Sequence, residues 1–133
     1  MPFTTYMDNA ILNEFFGGTN YVPPGNLYVA LSKTTPTKGG TNVSEPVGGA
    51  YARVQLVNNA TNFPGASNST KSNGTIIAFP EATGDWGTIT HYVVYDAITG
   101  GNALAFGALT ASKTIESGDT PSFSVGSLSI SLT

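Results

Sequence analysis

The stretch Pro23-Pro24-Gly25-Asn26-Leu27-Tyr28-Val29-Ala30-Leu31-Ser32 is where the chain changes its hydrophobic period, and that change decides the fold class. Leu27, Val29 and Leu31 alternate with Tyr28, Ala30 and Ser32. A two-residue repeat sends successive side chains to opposite faces of a strand. Upstream the period is helical. Met7, Ile11, Leu12 and Phe15 fall on one helix face. Thr5-Tyr6-Met7-Asp8 reads as a capping box that satisfies the first free N–H groups. Gly17-Gly18 supplies the left-handed stop. A helix is therefore expected over 5–18, followed by strands over 26–133. That helix either closes one end of the fold or acts as an arm that docks on a neighbouring subunit.

Downstream, strand signals keep recurring between turns. Tyr51 to Val57 alternates, with Ala52, Val54 and Leu56 on one side and Tyr51, Arg53 and Gln55 on the other. Thr75 to Phe79 is a short run ended by Pro80, and Thr88 to Tyr95 alternates throughout. The segment Asp96 to Asn102 reads as a turn, with Ala103 to Leu109 as the hairpin partner. Lys113 to Ile115, Ser122 to Val125 and Leu128 to Leu132 complete the set, with a turn at Ser117-Gly118-Asp119. Two polar stretches, Thr34 to Gly49 and Asn58 to Gly74, read as long loops, a length that is usually functional or mobile. No internal repeat stands out. Seven or eight short strands between turn signals predict a mainly β fold: an antiparallel β-sandwich or jelly-roll-like barrel with one N-terminal α-helix.

The length of 133 residues fits one domain over 1–133 with one hydrophobic core. Only 10% of residues are charged, so Thr, Ser, Asn and Gly must make the polar surface, as suits proteins packed into assemblies or secreted adhesins. Lys33, Lys38, Arg53, Lys71 and Lys113 are scattered through a chain of net charge −3. Nucleic-acid binding needs clustered cations to displace counterions, so it is not expected. There is no cysteine, which excludes disulfides and thiolate chemistry. The start of the chain lacks a basic region followed by an apolar run, and Ala97 to Ser112 is too short and glycine-broken to span a bilayer. A soluble protein with no membrane partner is expected.

Residues that could carry chemistry each have a plainer role. His91, the one histidine, has no Gly-x-Ser-x-Gly elbow to serve and no metal-ligand spacing around it. A sheet histidine is expected. Glu81 and Asp85 could mimic a glycosidase pair, but a turn cap and a solvated carboxylate explain them as well. Asp96 and Asn102 match no calcium-loop pattern. Trp86, between Gly84 and Gly87, is expected to plug the core; exposed, it could stack on a sugar. The sequons beginning at Asn42, Asn59, Asn68 and Asn73 are chance products of an Asn/Ser/Thr-rich chain. Tyr28 and Tyr51 are expected to point away from the core faces of their strands. With Met7, Ile11 and Phe15 of the helix they form the candidate interface set. No cofactor and no metal are expected.

The order of motifs resembles a family of short phage virion proteins, tail-fibre-like and in some phages similar to capsid decoration (cement) proteins. The resemblance rests on Phe15-Phe16-Gly17-Gly18, on Leu27 to Ser32 leading into Thr34-Thr35-Pro36, and on Glu45-Pro46. It continues through Gly48 to Val54, Ile77 to Thr83 and Trp86-Gly87-Thr88. His91 to Asp96, Gly100-Gly101-Asn102, Gly107-Ala108-Leu109, Ser117 to Thr120 and the alternation from Phe123 to Leu132 complete it. The resemblance implies a non-enzymatic structural role in the virion and transfers no catalytic residues. The chain is short and has no repetitive shaft. This favours a cement protein that stabilises the head as a homo-oligomer, a trimer, beside the major capsid protein. The alternatives are a tail-fibre or tail-tip module that partners a tail protein and binds a host receptor, and a small glycan-binding lectin or glycan-active enzyme.

Overall fold

The computed structural model describes residues 3–132; Met1, Pro2 and Thr133, which the sequence reading includes in the domain, lie outside the described residues. Helix α1 runs Thr5–Phe15. Its cap is displaced by one residue from the sequence reading. The Thr4 hydroxyl accepts from the Met7 N–H at 3.3 Å and donates to the Ala103 carbonyl at 2.6 Å. Thr4 is buried and Thr5 exposed, so only Thr4 can serve the helix and the sheet together. The helix stops before Gly17 and Gly18, both at positive φ, with the Phe16 N–H returning to the Leu12 carbonyl. No residue of α1 is fully buried. The apolar face is real, but only Met7 reaches the main core, while Leu12 and Phe15 face solvent.

The main sheet has the order β2-β1-β5-β6, formed by β1 (Asn26–Ser32), β2 (Val54–Val57), β5 (Gly87–Tyr95) and β6 (Ala103–Ile115). All its pairings are antiparallel: β1 lies between β2, with Leu27 opposite Leu56, and β5, with Ala30 opposite Val93. β1 is hydrogen-bonded along both edges, and packing from above and below the sheet covers side chains on both its faces. Leu27, Val29 and Leu31 enter the main core, while Ala30 joins Val93, Tyr95 and Ala103 in a second cluster on the other face. Loop 34–49 covers that second face and is strapped down: the Ser32 hydroxyl donates to the Thr34 carbonyl and accepts from the Ser44 N–H.

β6 is one strand of thirteen residues, where the sequence suggested two pieces. Its register with β5 slips: Ile89 faces Lys113 while His91 faces Ala108, so Leu109 to Ser112 bulge opposite the single residue Thr90. The slip also breaks the alternation of β5. Ile89, Tyr92 and Val94 all enter the main core. Gly107 is required beside this kink, because a Cβ there would lie 2.7 Å from the Tyr92 hydroxyl.

Two short antiparallel ribbons form the opposing layer, β4 (Ile77–Ala78) with β7 (Ser122–Phe123), and β3 (Thr70–Ser72) with β8 (Ser129–Ser131). β3 was hidden in the polar loop because Thr-Lys-Ser carries no apolar alternation. The fold is mainly β, antiparallel and sandwich-like, with one N-terminal helix. Between the layers sit Ile77, Phe79, Trp86, Ile89 and Leu128. Burial of each large apolar side chain contributes about 1.5–3 kcal/mol. Trp86 is in the core, its ring edge-on to Tyr51 at 5.3 Å and its indole N–H donating to the Gly49 carbonyl at 2.8 Å.

Candidate functional site

The residues singled out for chemistry are dispersed or already engaged. His91 is half-buried on β5, with Nδ1 2.8 Å from the Thr90 hydroxyl. Glu81 and Asp85 are both exposed, and Asp85 accepts from the Ser117 N–H at 3.3 Å. Asp96 closes its own hairpin turn by accepting from the Asn102 backbone and side-chain N–H groups at 2.7 and 3.0 Å. Among the described residues no three His, Asp or Glu side chains come together as a metal site. No helix among them is long and apolar enough to cross a membrane.

The most developed polar constellation is one that sequence reasoning missed. Arg53, just before β2, forms a fork with Glu45 in loop 34–49: Nε to Oε1 at 3.0 Å and Nη2 to Oε2 at 2.9 Å. Its Nη1 donates to the Ala97 and Gly100 carbonyls of the β5–β6 turn at 2.8 and 2.9 Å. The guanidinium lies 3.7 Å over the Tyr95 ring. The Arg53 side chain is 7% exposed and that of Glu45 25%. The Tyr51 hydroxyl donates to Glu45 at 2.7 Å and accepts from the Leu31 N–H at 3.1 Å. Three separate segments are thereby tied to β1. Two-pronged, charge-assisted bonds of this kind are the strong ones.

Electrostatics follow from this packing. Burial pushes the Glu45 carboxyl up, but the hydrogen bonds from Arg53 and Tyr51 and the Arg53 charge outweigh it and hold it below the usual range. Burial, then the Glu45 carboxylate, drive the Tyr51 hydroxyl far above that of a free tyrosine. Both Glu45 oxygens are occupied, so the cluster is built to hold shape. The only sequence signal was a lone Arg inside an otherwise uncharged alternating run.

The candidate interface set is split by the structure. Tyr51 does not point outward: its ring packs between Phe79 and Trp86 in the main core. The alternation was extended three residues ahead of a strand that begins at Val54, which inverted the side assigned to Tyr51. Tyr28 is half-buried against the second cluster. Met7 and Ile11 are half-buried along α1. Phe15 is 74% exposed, beside Phe16 at 80%. Leu12 and Val22 are exposed too, as are Val47, Ile76 and Val125 elsewhere on the chain, and of the Phe15–Phe16 pair the sequence reading takes in only Phe15.

A second surface feature lies on the far side of β6. The bulge at Leu109 to Ser112 and the shortness of β7 leave the two layers apart, opening a groove of about 680 Å³. Leu31, Ile89 and Tyr92 form its floor, with Phe79 and Phe123 on the opposing wall. Lys113 is the single charged side chain lining it among the described residues.

The family model described as "Podophage GP4 fiber I protein gp80" matches residues 2–131 of the chain. No curated protein sequence matches it.

Proposed function

We propose, for a chain that belongs to the podophage GP4 fiber I protein gp80 family, the role of a non-catalytic, single-domain fibre subunit that works as a homo-oligomer. As a member of that family it is a phage virion structural protein. The observation that carries the non-catalytic reading is the state of its ionisable groups. Glu45 and Arg53 are consumed by each other, His91 is bonded to Thr90, and Glu81 and Asp85 stand exposed and do not line the groove beside β6. Among the described residues every buried side-chain N or O atom has a hydrogen-bond partner within the fold.

The oligomeric reading rests on apolar exposure. Phe15 and Phe16, neighbours in sequence, are the two most exposed aromatic side chains among the described residues, on a chain rich in Asn, Ser and Thr. Neighbouring exposed aromatic rings on a charge-poor surface support a contact reading. A trimer is the assembly proposed, with a tail protein of the particle as the outer partner. The family description supports the fibre, and the cement role on the head is the alternative.

Particles made with and without the protein separate the two. For a fibre subunit, antibody label falls on the tail, adsorption to host cells is lost, and head resistance to heat and chelators is unchanged. Label on the head, with weakened heads and normal adsorption, would replace the fibre with the cement role. Hydrolysis of a glycan by the purified protein, abolished in Glu81→Ala or Asp85→Ala, would end the non-catalytic reading.

A further inference from the structure

We infer that the Phe15–Phe16 end of α1 in one copy seats in the groove between β6 and β7 of the next copy, a head-to-tail contact between identical chains. The inference rests on the homo-oligomeric reading given above. The groove exists because the sandwich is not closed along this side. β6 is the edge strand of the main sheet, paired with β5 alone, and β7 pairs with β4 on one side only. Leu109 and Phe123 are left half-buried, and Ala108 and Ala111 exposed, around an aromatic and aliphatic floor. Such a surface gains from an apolar insert.

The chain itself carries an insert of matching chemistry. Two neighbouring phenyl groups project at the end of α1 with most of their surface in water. Each phenylalanine can bury about 150–250 Å². Charge favours the same pairing. α1 contains Asp8 and Glu14 and no basic residue, and Asp8 is neutralised by Lys38 at 2.6 Å. Glu14, one position before Phe15, accepts from the Tyr21 N–H and has no basic partner among the salt bridges of the described residues. The groove offers Lys113 and no acid. Both halves of the contact sit on one chain at different places, so the contact is heterologous. Such a contact closes into a ring when the rotation allows and otherwise propagates as a filament.

The chain has no cysteine, which makes cross-linking clean. Phe16→Cys and Ala111→Cys are prepared separately, one with a size tag, then mixed and oxidised. The expected product is a disulfide-linked pair containing one copy of each, absent from either preparation alone. Light scattering on the wild-type chain is run in parallel. A monomeric wild type would overturn the oligomeric reading and this contact with it. An oligomeric wild type that yields no mixed cross-link would overturn the contact alone, as would Phe16→Cys homodimers, which indicate helix against helix. Phe15→Ser/Phe16→Ser and Ala108→Arg are each expected to weaken self-association roughly tenfold or more. Unchanged self-association in the serine variant, with unchanged circular dichroism, would count against the contact even where Ala108→Arg fails to fold.

Discussion

Arg53→Met removes one partner of the fork while keeping an unbranched apolar stem, and its cost can be worked from the geometry. The change deletes four donated bonds, two to Glu45 and one each to the Ala97 and Gly100 carbonyls. It also strands a carboxylate that the fold holds in its charged form. Breaking a buried pair from one side costs about 3–5 kcal/mol. Glu45 is a quarter exposed, so water can relieve part of the loss and the low end, about 3 kcal/mol, applies. For a chain of this length that corresponds to a drop in Tm on the order of 10 °C. Urea unfolding, followed by fluorescence of the buried Trp86, measures it directly. Glu45→Gln and the double variant complete a cycle, in which the coupling between the two positions is expected to reach about 2 kcal/mol. A loss under about 1 kcal/mol, the range of exposed ion pairs, with no coupling in the cycle, would refute the claim that this cluster fastens loop 34–49 and the β5–β6 turn to the sheet.

Other outcomes follow from single features. The Glu45 carboxyl titrates below its unfolded value, so its contribution is complete above that value, about 4.3, and is lost as the pH falls through the folded one. Glu45→Gln should flatten this part of the acid unfolding curve. Tyr51 behaves in the opposite sense: its hydroxyl is raised, so stability present below about pH 10 declines as the pH rises further, less steeply in Tyr51→Phe. Trp86→Ala should cost about 3–5 kcal/mol and abolish near-ultraviolet dichroism; a stable, fully folded variant would contradict core packing. Thr4→Val removes the cap and the tie to Ala103, and should cost about 1–2 kcal/mol while increasing proteolysis before Gly17, with hydrogen exchange in β5 unaffected.

The parts of this fold that were legible are those where one physical signal acts alone. The helix and β1 could be read because their periods are long, uninterrupted and bounded by Gly or Pro. The failures have specific causes. β6 reads as two pieces because Ala108 to Ser112 is weakly apolar, and a bulge needs no alternation. β3 is held by pairing with β8, a partner some sixty residues away that leaves no local trace. Tyr51 was turned outward by counting parity across a strand end. The Glu45–Arg53 fork closes across a loop of no fixed length, so neither residue marks the other in the sequence. Exposure of Phe15 and Phe16 was out of reach for a related reason: an amphipathic period tells which side chains align, and says nothing about whether a neighbour covers them.

The tie between Thr4 and Ala103 spans 99 positions of the chain. During synthesis the helix leaves the ribosome well before its dock on β6 is made. At about 5–20 residues per second, α1 waits roughly 5–20 seconds with its cap donor unpaired and its apolar residues in water. An eleven-residue helix is marginal by itself. For that interval the beginning of the chain is therefore open to proteases, chaperones and other nascent copies. The closing of the β5–β6 hairpin ends the exposure, and it sets the moment at which a newly made subunit becomes fit to join an assembly.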